Sequence, residues 1–552
     1  MNYFKKNTRS SFLRLIQKAF VLNLKSHQEG SPSLNELIQI SKEGEIDSRR
    51  KFIGTLAKAG LSLATLNALN ACKKSGDLLV EAESLYRNRN TSLQPSIAII
   101  GAGMAGLNCA YQLKKSGINA TIYEGSARYS GRIRTQSDFI GQGIYTELGG
   151  EFIDSGHRNM LKLAREFSLP LMDTMSAAEM TFARDVFIID GISYTEDQII
   201  NAFAPYANRI HADVSSLPNS FGFNNFNSTV FRLDQLSISG YFDSIGMPAG
   251  SFLRKGLEVA YNTEYGREVD DQTAINFLYL FSINPGNNNY QIFGASDERY
   301  KIQGGNQKLT DAIYQNIQTQ VQFNQVLVRI TQSNSGKYNL FFSNGSTSTA
   351  DILVITMPFS LLRQVDLSTL SFPAWKTNAI QHLGYGTNAK LLLGFNQRVW
   401  RNYQQSGYVF TNGSPQSSGT FIQTGWDNSQ LQPGFNGGYT VYQGGLQGNN
   451  LSVNDTIAFL DQMEQIWPGS RAAFNGNSKL IHWPSYPYSL GSYACWRVGQ
   501  CTTILGAEIL PIGNIYFAGE HTSAFNQGYM EGAAETGAKA AAQIAKKLQT
   551  GN

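Results

Sequence analysis

A glycine-rich segment near residue 100 has the residue types and the spacing of a phosphate-binding turn. Gly101, Gly103 and Gly106 form the pattern G-x-G-x-x-G, in which missing side chains let a phosphate approach the backbone. Glu124 follows 18 residues after Gly106, at the end of an apolar run, where an acid can bind ribose hydroxyl groups. The glycine pattern alone is a weak signal, so its meaning depends on the elements around it.

The segments that flank this turn predict a strand, a helix and a second strand. Residues 96–100 are apolar and β-branched, as in a buried parallel strand. Residues 104–115 suit a helix that ends before Gly117, and residues 118–123 suit the second strand. The helix N-terminus would face a pyrophosphate, and an acid at Glu124 favours FAD or NAD over NADP. The sequence therefore predicts an α/β dinucleotide-binding domain.

A second strand, turn and helix start lies near the C-terminus. Residues 514–523 have the sequence NIYFAGEHTS, and residues 528–534, GYMEGAA, begin a helix of small residues that continues to about residue 548. Backbone donors at such a helix start would face another anionic or electron-rich group. The two glycine-rich turns are thus expected to contact different parts of one cofactor.

These motifs, with Ser130-Gly131-Arg132 and the segment 147–153, resemble the flavin-containing amine oxidase family, which includes monoamine, polyamine and L-amino-acid oxidases. The likeness covers roughly residues 95–548 and implies FAD as the cofactor. It implies a mixed α/β fold, with a Rossmann-like FAD-binding domain and a substrate domain of sheet and helix. The expected ranges are 95–170, 300–365 and 505–548 for the discontinuous FAD domain, and 171–299 and 366–504 for the substrate domain.

The resemblance also implies which residues hold FAD. The first turn would bind adenosine and pyrophosphate, Arg132 would assist with the phosphates, and Leu327 or a neighbour would lie near the adenine. Glu520 and Met530 would contact the ribityl chain and flavin ring. The full implied set is Gly101, Ala102, Gly103, Met104, Ala105, Gly106, Glu124, Gly125, Arg132, Gly149, Gly150, Glu151, Leu327, Glu520, Gly528 and Met530. Covalent members attach the flavin through a cysteine that matches Ser492, and serine cannot form that bond, so non-covalent FAD is expected.

Three further residues are candidates for the chemistry. Lys390 lies in an apolar run and resembles the family lysine that holds a water beside flavin N5; the alternative is a lysine on a solvent-facing strand position. Tyr493 and Tyr529 match the two aromatic residues that flank the amine in monoamine oxidases. The chain has 26 tyrosines, so the alternative is that these are two ordinary core residues.

An apolar aromatic pocket can supply a neutral amine without a dedicated base. Keeping an amine of pKa about 10 neutral at pH 7 costs ~4 kcal/mol, and full burial lowers such a pKa by up to about 3 to 5 units. The expected reaction is hydride transfer to flavin N5 from the carbon that bears the nitrogen. Hydrolysis of the imine gives an aldehyde or ketone plus ammonia or an amine, and O2 reoxidises the flavin and forms hydrogen peroxide.

The substrate is less clearly indicated. L-amino-acid oxidases of the family have a segment similar to Gly-Pro-Met-Arg, whose arginine binds the substrate carboxylate. This chain has GGEF at the matching residues 149–152, so that arginine is missing at its usual place. Glu151 favours a cationic amine if it faces the cavity, or it hydrogen-bonds the cofactor. Arg497, near Tyr493, is a candidate replacement for the arginine, so amino acids stay open. A desaturase-like flavoprotein and a flavin-retaining binding protein are the further alternatives.

The first 71 residues predict an export leader. Arg49 and Arg50 precede a weakly hydrophobic run, 59–71, that is too short to span a membrane, as in a twin-arginine signal. Cys72 ends a lipobox-like sequence and would become a lipid anchor, which predicts a periplasmic or membrane-anchored protein with a tether over residues 72–94. The alternative is an amphipathic helix that ends at a chance cysteine. Residues 12–24 suit an amphipathic surface helix or an extended leader, and the sequence assigns them no role.

The composition excludes several other classes of protein. The 552 residues are 42% hydrophobic and 16% charged, against ~25% charged in an average soluble domain, so a large interior is expected. Four cysteines form neither a disulfide scaffold nor a zinc motif, and no metal site is expected; whether Cys495 and Cys501 pair is left open. The net charge is +4, but residues 1–71 carry +6, with 11 Lys and Arg against 5 Asp and Glu, which leaves −2 for the rest, so nothing indicates nucleic-acid binding.

Overall fold

The structure is a computed structural model that describes residues 10–43, 95–281, 297–413 and 419–550. Arg49, Arg50 and Cys72, and with them the predicted export signal and lipid anchor, lie outside the described residues. The strands are β1 Ile97–Ile100, β2 Thr121–Tyr123, β3 Thr135–Ser137, β4 Tyr145–Glu147, β5 Leu171–Asp173, β6 Ala183–Ile189, β7 Ile192–Tyr194, β8 Tyr300–Ile302, β9 Val321–Gln322, β10 Leu327–Gln332, β11 Tyr338–Phe342, β12 Thr347–Ala350, β13 Ile352–Ile355, β14 Ala389–Phe395, β15 Gln405–Thr411, β16 Thr424–Asp427, β17 Gly437–Gln443, β18 Phe474–His482 and β19 Ile515–Phe517.

The α-helices alternate with these strands and are numbered in chain order. They are α1 Ser11–Ser26, α2 at residues 34–43, α3 Met104–Lys115, α4 Arg158–Glu166, α5 Glu196–Ser215, α6 Ser228–Asp234, α7 Ile238–Ser244, α8 Phe252–Tyr265, α9 Ala274–Leu278, α10 Gln307–Ile317, α11 Phe359–Leu362, α12 Ala374–His382, α13 Gly445–Asn450, α14 Thr456–Ile466, α15 Ser470–Ala473 and α16 Met530–Thr550. None of the helices in the described ranges is both long enough and apolar enough to cross a membrane.

A five-stranded parallel sheet carries the first glycine-rich turn. Its strand order is β19-β13-β1-β2-β9, and Ile97 to Ile100 pair in register with Ile352 to Ile355. Each of the three predicted FAD-domain segments supplies at least one strand to this sheet. All four residues of β1 and of β13 are buried, because α3 and α16 cover the sheet with small and apolar side chains. The predicted strand, helix and strand after residue 96 are therefore confirmed.

At two positions around the turn between β1 and α3, only glycine fits. Gly101 has φ +107°, and a Cβ there would lie 2.8 Å from Thr356 Oγ1. A Cβ at Gly106 would lie 2.0 Å from the carbonyl oxygen of Gly101, so α3 could not pack this closely on the turn. Gly103, in contrast, has no atom within 4 Å of an added Cβ and therefore faces open space.

A second, seven-stranded sheet forms the floor of the substrate domain. Its order is β18-β14-β17-β16-β15-β6-β7, antiparallel except for the β15–β6 pair. Strand β14, next to the edge strand β18, is buried along all seven residues, and it pairs with β17 and β18 on its two sides. Helices α5 to α9 pack around the other side of this domain in the largest hydrophobic cluster.

Helix α1 lies inside that cluster and is not an appendage of the chain. Phe12, Leu13, Ile16 and Ala19 are fully buried, and Phe20 is 2% exposed. Its side chains pack with those of α5, α8 and residues 279–281 of the substrate domain. Residues 10–43 therefore pack as part of the substrate domain. The leader over residues 1–71 stays a prediction. The amphipathic spacing correctly indicated a helix, but the surface location was wrong, because the residues between its apolar positions are also buried.

Candidate functional site

A cavity of about 430 Å³ is lined by both the parallel sheet and the seven-stranded sheet. The glycine-rich turn and Glu124 lie in one part of its wall, here called the nucleotide end, and Tyr493 and Tyr529 lie in another, here called the tyrosine end. The wall contains these predicted residues: Gly101, Gly103, Met104, Ala105, Glu124, Gly125, Arg132, Gly149, Gly150, Glu151, Leu327, Lys390, Tyr493, Glu520, Gly528, Tyr529 and Met530. Ala102 and Gly106 stand just behind the wall.

The nucleotide end combines a carboxylate with an open helix start. Glu124 Oε2 accepts a hydrogen bond of 2.7 Å from the backbone of Ala102, and its Oε1 accepts one of 2.9 Å from the backbone of Ser126. These bonds hold the carboxylate beside the glycine turn. Gly103 caps α3 without any side-chain hydrogen bond, so the first backbone N–H groups of the helix stay available to an anion.

Glu520 joins the C-terminal motif to Arg132. Its Oε1 lies 3.0 Å from Arg132 Nη1, and its Oε2 accepts a 2.9 Å hydrogen bond from the backbone of Gly528. Met530 packs against Gly150, where an added Cβ would lie 2.7 Å from Met530 Cγ. The two distant glycine-rich motifs therefore meet at one place in the cavity wall.

Lys390 is held in the cavity wall and is not directed toward bulk solvent. It lies on the buried strand β14, and its side chain is 5% exposed. Its Nζ donates to the carbonyl oxygens of Glu147 at 3.1 Å and Gly149 at 2.9 Å, and to Glu151 Oε2 at 2.9 Å. The alternative of a solvent-facing strand position is thus wrong, because β14 is covered on both faces.

Glu151 is shared between two lysines. Lys301, on β8, is 1% exposed, and its Nζ lies 3.0 Å from Glu151 Oε1, while Lys390 occupies the other carboxylate oxygen. Lys301 also donates to the carbonyl oxygen of Asn428 at 3.1 Å. We call these three residues the lysine–glutamate triad. With two ammonium groups and one carboxylate, it has a formal charge of +1.

The triad determines how its carboxylate and the neighbouring Glu147 ionise. Burial opposes ionisation of Glu151, but the two ammonium groups overcome this effect and lower its pKa to about 2. The same carboxylate raises the pKa of Lys301, against the effect of burial. Burial raises the pKa of Glu147 to about 7. Glu151 does face the cavity, but both of its carboxylate oxygens are bound to lysines, so it does not present an uncompensated negative charge to an amine.

The tyrosine end is an aromatic enclosure. The hydroxyl group of Tyr493 lies 2.9 Å from that of Tyr442 and donates to the carbonyl oxygen of Glu264 at 2.7 Å. The ring of Tyr529 meets the imidazole of His157 edge-on, with centroids 5.3 Å apart. The ring centroid of Trp426 lies 5.6 Å from that of Tyr442 and 5.4 Å from Lys390 Nζ, so the aromatic wall reaches the triad. Tyr493 and Tyr529 are thus cavity residues in addition to being well packed.

Carboxylates also line the tyrosine end. Asp154, Glu264 and Glu298 face the cavity; Asp154 Oδ2 lies 3.1 Å from His157 Nε2, and Glu298 Oε2 accepts from the hydroxyl group of Tyr408 at 3.2 Å. Arg497 does not belong to this set. Its Nε is bound to Asp271 Oδ1 at 2.7 Å, and its side chain is 48% exposed outside the cavity wall. The possibility that Arg497 replaces the missing carboxylate clamp is therefore wrong.

Residues 104–545 match the family model of flavin containing amine oxidoreductases. The chain belongs to this family. Because members of this family bind FAD, the cavity is the candidate FAD and substrate site. Its wall contains Lys390, the two tyrosines and most of the glycine-rich turn, which the sequence had singled out.

Individual relatives of this flavoprotein differ in the substrates that they are named for. Nicotine dehydrogenase of Pseudomonas putida is 24% identical over 517 residues, covering 92% of this chain and 99% of that protein. The L-amino-acid oxidase of Daboia russelii is 23% identical over 513 residues, covering 89% and 97%. The solved structure of cyclohexylamine oxidase from Brevibacterium oxydans has a TM-score of 0.70 at 19% identity, covering 82% and 99%. The solved structure shows the fold, and the family is shown by the match of residues 104–545 to the family model.

The residues present fit FAD. Gly103 leaves open space in front of the α3 N-terminus, where a pyrophosphate would accept hydrogen bonds from backbone N–H groups. Arg132 also lies in the cavity wall. Glu124 is in place for the ribose hydroxyl groups, and Leu327 lines the same end. Gly149, Gly150 and Met530 would then border the flavin ring, next to Lys390.

Several cavity residues were not singled out from the sequence. Lys301 lies in a run, YKIQ, that carries no chemical signal, and it reaches Glu151 only because β8 pairs with residue 153. Trp426, Tyr408 and Tyr442 come from three strands of the seven-stranded sheet. Their alternation along β15 and β17 was the available signal, but it cannot tell which face of the sheet meets the cavity. Cys109, Cys495 and Cys501 are buried thiols, and among the described residues no cluster suited to a metal ion is found.

Proposed function

We propose that this protein oxidises a primary or secondary amine to an aldehyde or ketone plus ammonia or a smaller amine, with O2 as the final oxidant and hydrogen peroxide as a product. In this proposal, FAD accepts the hydride from the carbon that bears the nitrogen and returns the electrons to O2. Water hydrolyses the resulting imine. The observation that carries the proposal is the aromatic and carboxylate-lined tyrosine end, which continues directly into the lysine–glutamate triad.

The charges in the cavity wall support an amine over an amino acid. Among the described residues, Arg128 and Arg132 are the arginines in the wall. Arg128 donates to the carbonyl oxygen of Tyr129 at 2.7 Å, and Arg132 is bound to Glu520 and to the carbonyl oxygen of Ser492, so both guanidinium groups already have partners in the protein. At the tyrosine end a substrate carboxylate would instead meet the acidic groups Asp154 and Glu264, whereas Glu298 is paired with Arg14. Because like charges repel in a poorly solvated cavity, an amine without a carboxylate is favoured.

The protein would also select the protonation state of the substrate nitrogen. An ammonium ion is disfavoured near the triad, because its net charge is positive, and the rings of Tyr493 and Trp426 replace water around it. Keeping an amine of pKa about 10 neutral at pH 7 requires ~4 kcal/mol in total. The hydroxyl group of Tyr493 is already committed to Tyr442 and to a backbone carbonyl, so its ring is fixed in place. The chain thus orients and desolvates the amine without a dedicated general base.

Anaerobic reduction of the purified flavoprotein tests this proposal. We expect the yellow absorbance to bleach with monoamines or diamines and to return with O2, with formation of one peroxide per amine oxidised. Bleaching by amino acids and not by their decarboxylated counterparts would establish the L-amino-acid oxidase instead, which the relative from Daboia russelii makes the second candidate. If neither class bleaches the flavin, both oxidase functions are refuted, and a desaturase-like or binding function follows.

We propose further that FAD is bound without a covalent link. Ser492 lines the cavity at the position that matches the flavin-bound cysteine of covalent members, and its hydroxyl group donates to Asn388 Oδ1 at 2.7 Å. Cys495 is fully buried and is absent from the cavity wall. Acid precipitation should therefore release all of the flavin into the supernatant, whereas yellow colour in the washed pellet would contradict the proposal.

Export by the twin-arginine route and lipidation of Cys72 stay predictions from the sequence. That route carries folded proteins, which would permit FAD loading in the cytoplasm. Intact-mass measurement of the protein from its own cells, separated into membrane and soluble fractions, tests both predictions. An acyl mass on Cys72 would establish the anchor.

A further inference from the structure

We infer that residues 10–43 remain with the enzyme as a permanent part of its substrate domain, with Ser10 in the cavity wall, whether or not the chain is cut in the export sequence that follows them. This segment precedes the arginine pair and would be lost together with a conventional signal. Its packing in the structure is that of a core element. The inference concerns these residues only and does not depend on the amine being the substrate.

Burial is the first observation. Of the 16 residues of α1, 13 are buried, and they include the polar residues Gln17, Lys18 and Asn23. Each of these polar side chains has a defined partner; for example, Gln17 Nε2 donates to the carbonyl oxygen of Leu280 at 2.7 Å. Gln17 and Lys18 thus bond to Leu280 and Glu196, outside the segment, as expected of a core element.

The substrate domain is shaped to receive this helix. Phe12 stacks on Phe410 at a centroid distance of 4.7 Å and meets Phe187 edge-on at 5.9 Å. A Cβ at position 256 would lie 2.5 Å from the Phe12 ring, so Gly256 leaves the space that this ring occupies. Further along, Phe20 packs on Phe281 at 4.8 Å. Removal of the helix would leave an apolar groove through the centre of the domain.

The start of this segment also reaches the catalytic cavity. Ser10 lines the cavity, and its backbone N–H donates to Glu264 Oε2 at 3.3 Å. Arg14 Nη1 lies 2.9 Å from Oε2 of Glu298, a second cavity residue. The guanidinium is buried, and its pKa is raised by Glu298, Tyr408 and Asp185 against the effect of burial. Arg14 is thus a positioning residue that holds Glu298 at the tyrosine end.

Ion pairs on the outer side complete the attachment. Lys18 Nζ lies 3.3 Å from Glu196, and Lys42 Nζ lies 2.6 Å from Asp197, both in the first turn of α5. Residues 10–43 therefore contact the catalytic domain along their whole length. A cut anywhere in residues 44–94 would separate the two parts of the sequence without breaking any of these contacts.

A cleavable version of the full chain tests the inference directly. A protease recognition sequence is inserted at residues 76–90, the purified holoenzyme is cut, and the product is passed through a sizing column under native conditions. We expect the N-terminal piece to elute with residues 91–552 at a 1:1 ratio, with the flavin retained. Elution as a separate peptide, while the remainder keeps its flavin and its unfolding midpoint, would overturn the inference.

Substitutions provide a second, matched measurement. Ile16 is fully buried and Ile40 is 54% exposed, so Ile16→Asp is compared with Ile40→Asp. We expect Ile16→Asp to lower the unfolding midpoint and to release the N-terminal piece after cutting, while Ile40→Asp does neither. Equal behaviour of the two variants would contradict the buried position of α1.

The role of Arg14 rests on the proposed amine oxidation and is measured separately. Arg14→Met should raise KM by roughly tenfold or more while kcat changes less, since it deprives a buried carboxylate of its charged partner. Arg14→Lys should recover part of the loss. A change in kcat alone, with KM unaltered, would refute the positioning role, and failure of this kinetic arm leaves the cleavage result standing.

Discussion

Replacement of Glu151 by glutamine gives the sharpest test of the cavity electrostatics. The carboxylate lies between Lys301 at 3.0 Å and Lys390 at 2.9 Å, and all three side chains are at most 5% exposed. Glu151→Gln retains the shape and a hydrogen-bond acceptor but removes the negative charge. Two buried ammonium groups would then face each other without a carboxylate between them.

The structure sets the size of the effect. The pKa of Glu151 is lowered from 4.5 to about 2, and each unit corresponds to ~1.4 kcal/mol, so the ionised carboxylate contributes roughly 3 kcal/mol to folding. Loss of one partner of a buried ion pair costs about 3 to 5 kcal/mol in measured cases. The free energy obtained from the pKa of Glu151 thus agrees with the cost of breaking a buried ion pair. We therefore expect Glu151→Gln to lower the free energy of unfolding by ~3 kcal/mol or more at pH 7.

The sign of the pH dependence follows from the lowered pKa. The stabilisation by Glu151 is complete above pH ~4.5, the pKa of the unfolded chain, and is lost as the pH falls toward about 2. Wild type should lose this contribution over that window, whereas Glu151→Gln lacks it from the start. The difference in unfolding free energy between the two proteins should therefore narrow in acid.

A second substitution separates the triad from a general effect of mutation. Lys301→Met should destabilise wild type, because Glu151 loses one of its two cations. In the Glu151→Gln background the same change should stabilise the protein, because it removes an unpaired buried ammonium group. Urea unfolding followed by tryptophan and flavin fluorescence provides the four free energies. The exposed pair Asp461–Arg471 supplies the control, since Asp461→Asn should cost less than ~1 kcal/mol.

The refuting result is additivity. If Lys301→Met changes the unfolding free energy by the same amount with Glu151 and with glutamine at that position, the two groups do not interact, and the charge assignment is wrong. A Glu151→Gln variant as stable as wild type would refute the reasoning in the same way, because the carboxylate would then not be needed to balance the lysines.

Three other predictions concern the cofactor and its surroundings. Lys390→Met should slow reoxidation of the reduced flavin by O2 by roughly a hundredfold while FAD stays bound; stopped-flow oxygen kinetics equal to those of wild type would remove its assigned role. Gly106→Ala, whose Cβ would lie 2.0 Å from the Gly101 carbonyl, should destabilise the protein by ~1–3 kcal/mol or more and reduce its flavin content, whereas Gly156→Ala, with open space around the new Cβ, should behave as wild type. Burial raises the pKa of Glu147 to about 7, so its contribution to stability is present below pH ~4.5 and declines as the pH rises through 7. Glu147→Gln should therefore make the unfolding midpoint less dependent on pH between pH 5 and 8.

The first glycine-rich turn was predictable because its constraints are local. The contact between Gly106 and Gly101, the strand before it and the helix after it all lie within a few residues of each other along the chain. Glu124 follows on the adjacent strand of a fixed supersecondary unit, so its position beside the turn also follows from the spacing. Lys390 was recognisable for a related reason, since a lysine within an otherwise apolar strand requires a partner.

The partner itself was not predictable. Lys301 and Lys390 are separated by 89 positions, and both meet Glu151 only after β8, β14 and the segment that follows β4 come together. The sequence shows Glu151 only as an acid. In the fold its single negative charge lies between two lysines, so the triad as a whole has a positive formal charge. Arg497 is the opposite case, since its closeness to Tyr493 in sequence does not bring its side chain into the cavity.

The sequence by itself determined the family, the glycine-rich turn and 17 of the residues that line the cavity, because local spacing and short motifs are sufficient for those features. Only the tertiary structure decided the net charge next to Lys390, the exclusion of Arg497 and the place of residues 10–43. These depend on contacts between segments far apart in the chain, and burial converts such contacts into electrostatic and packing energies that no single segment carries alone.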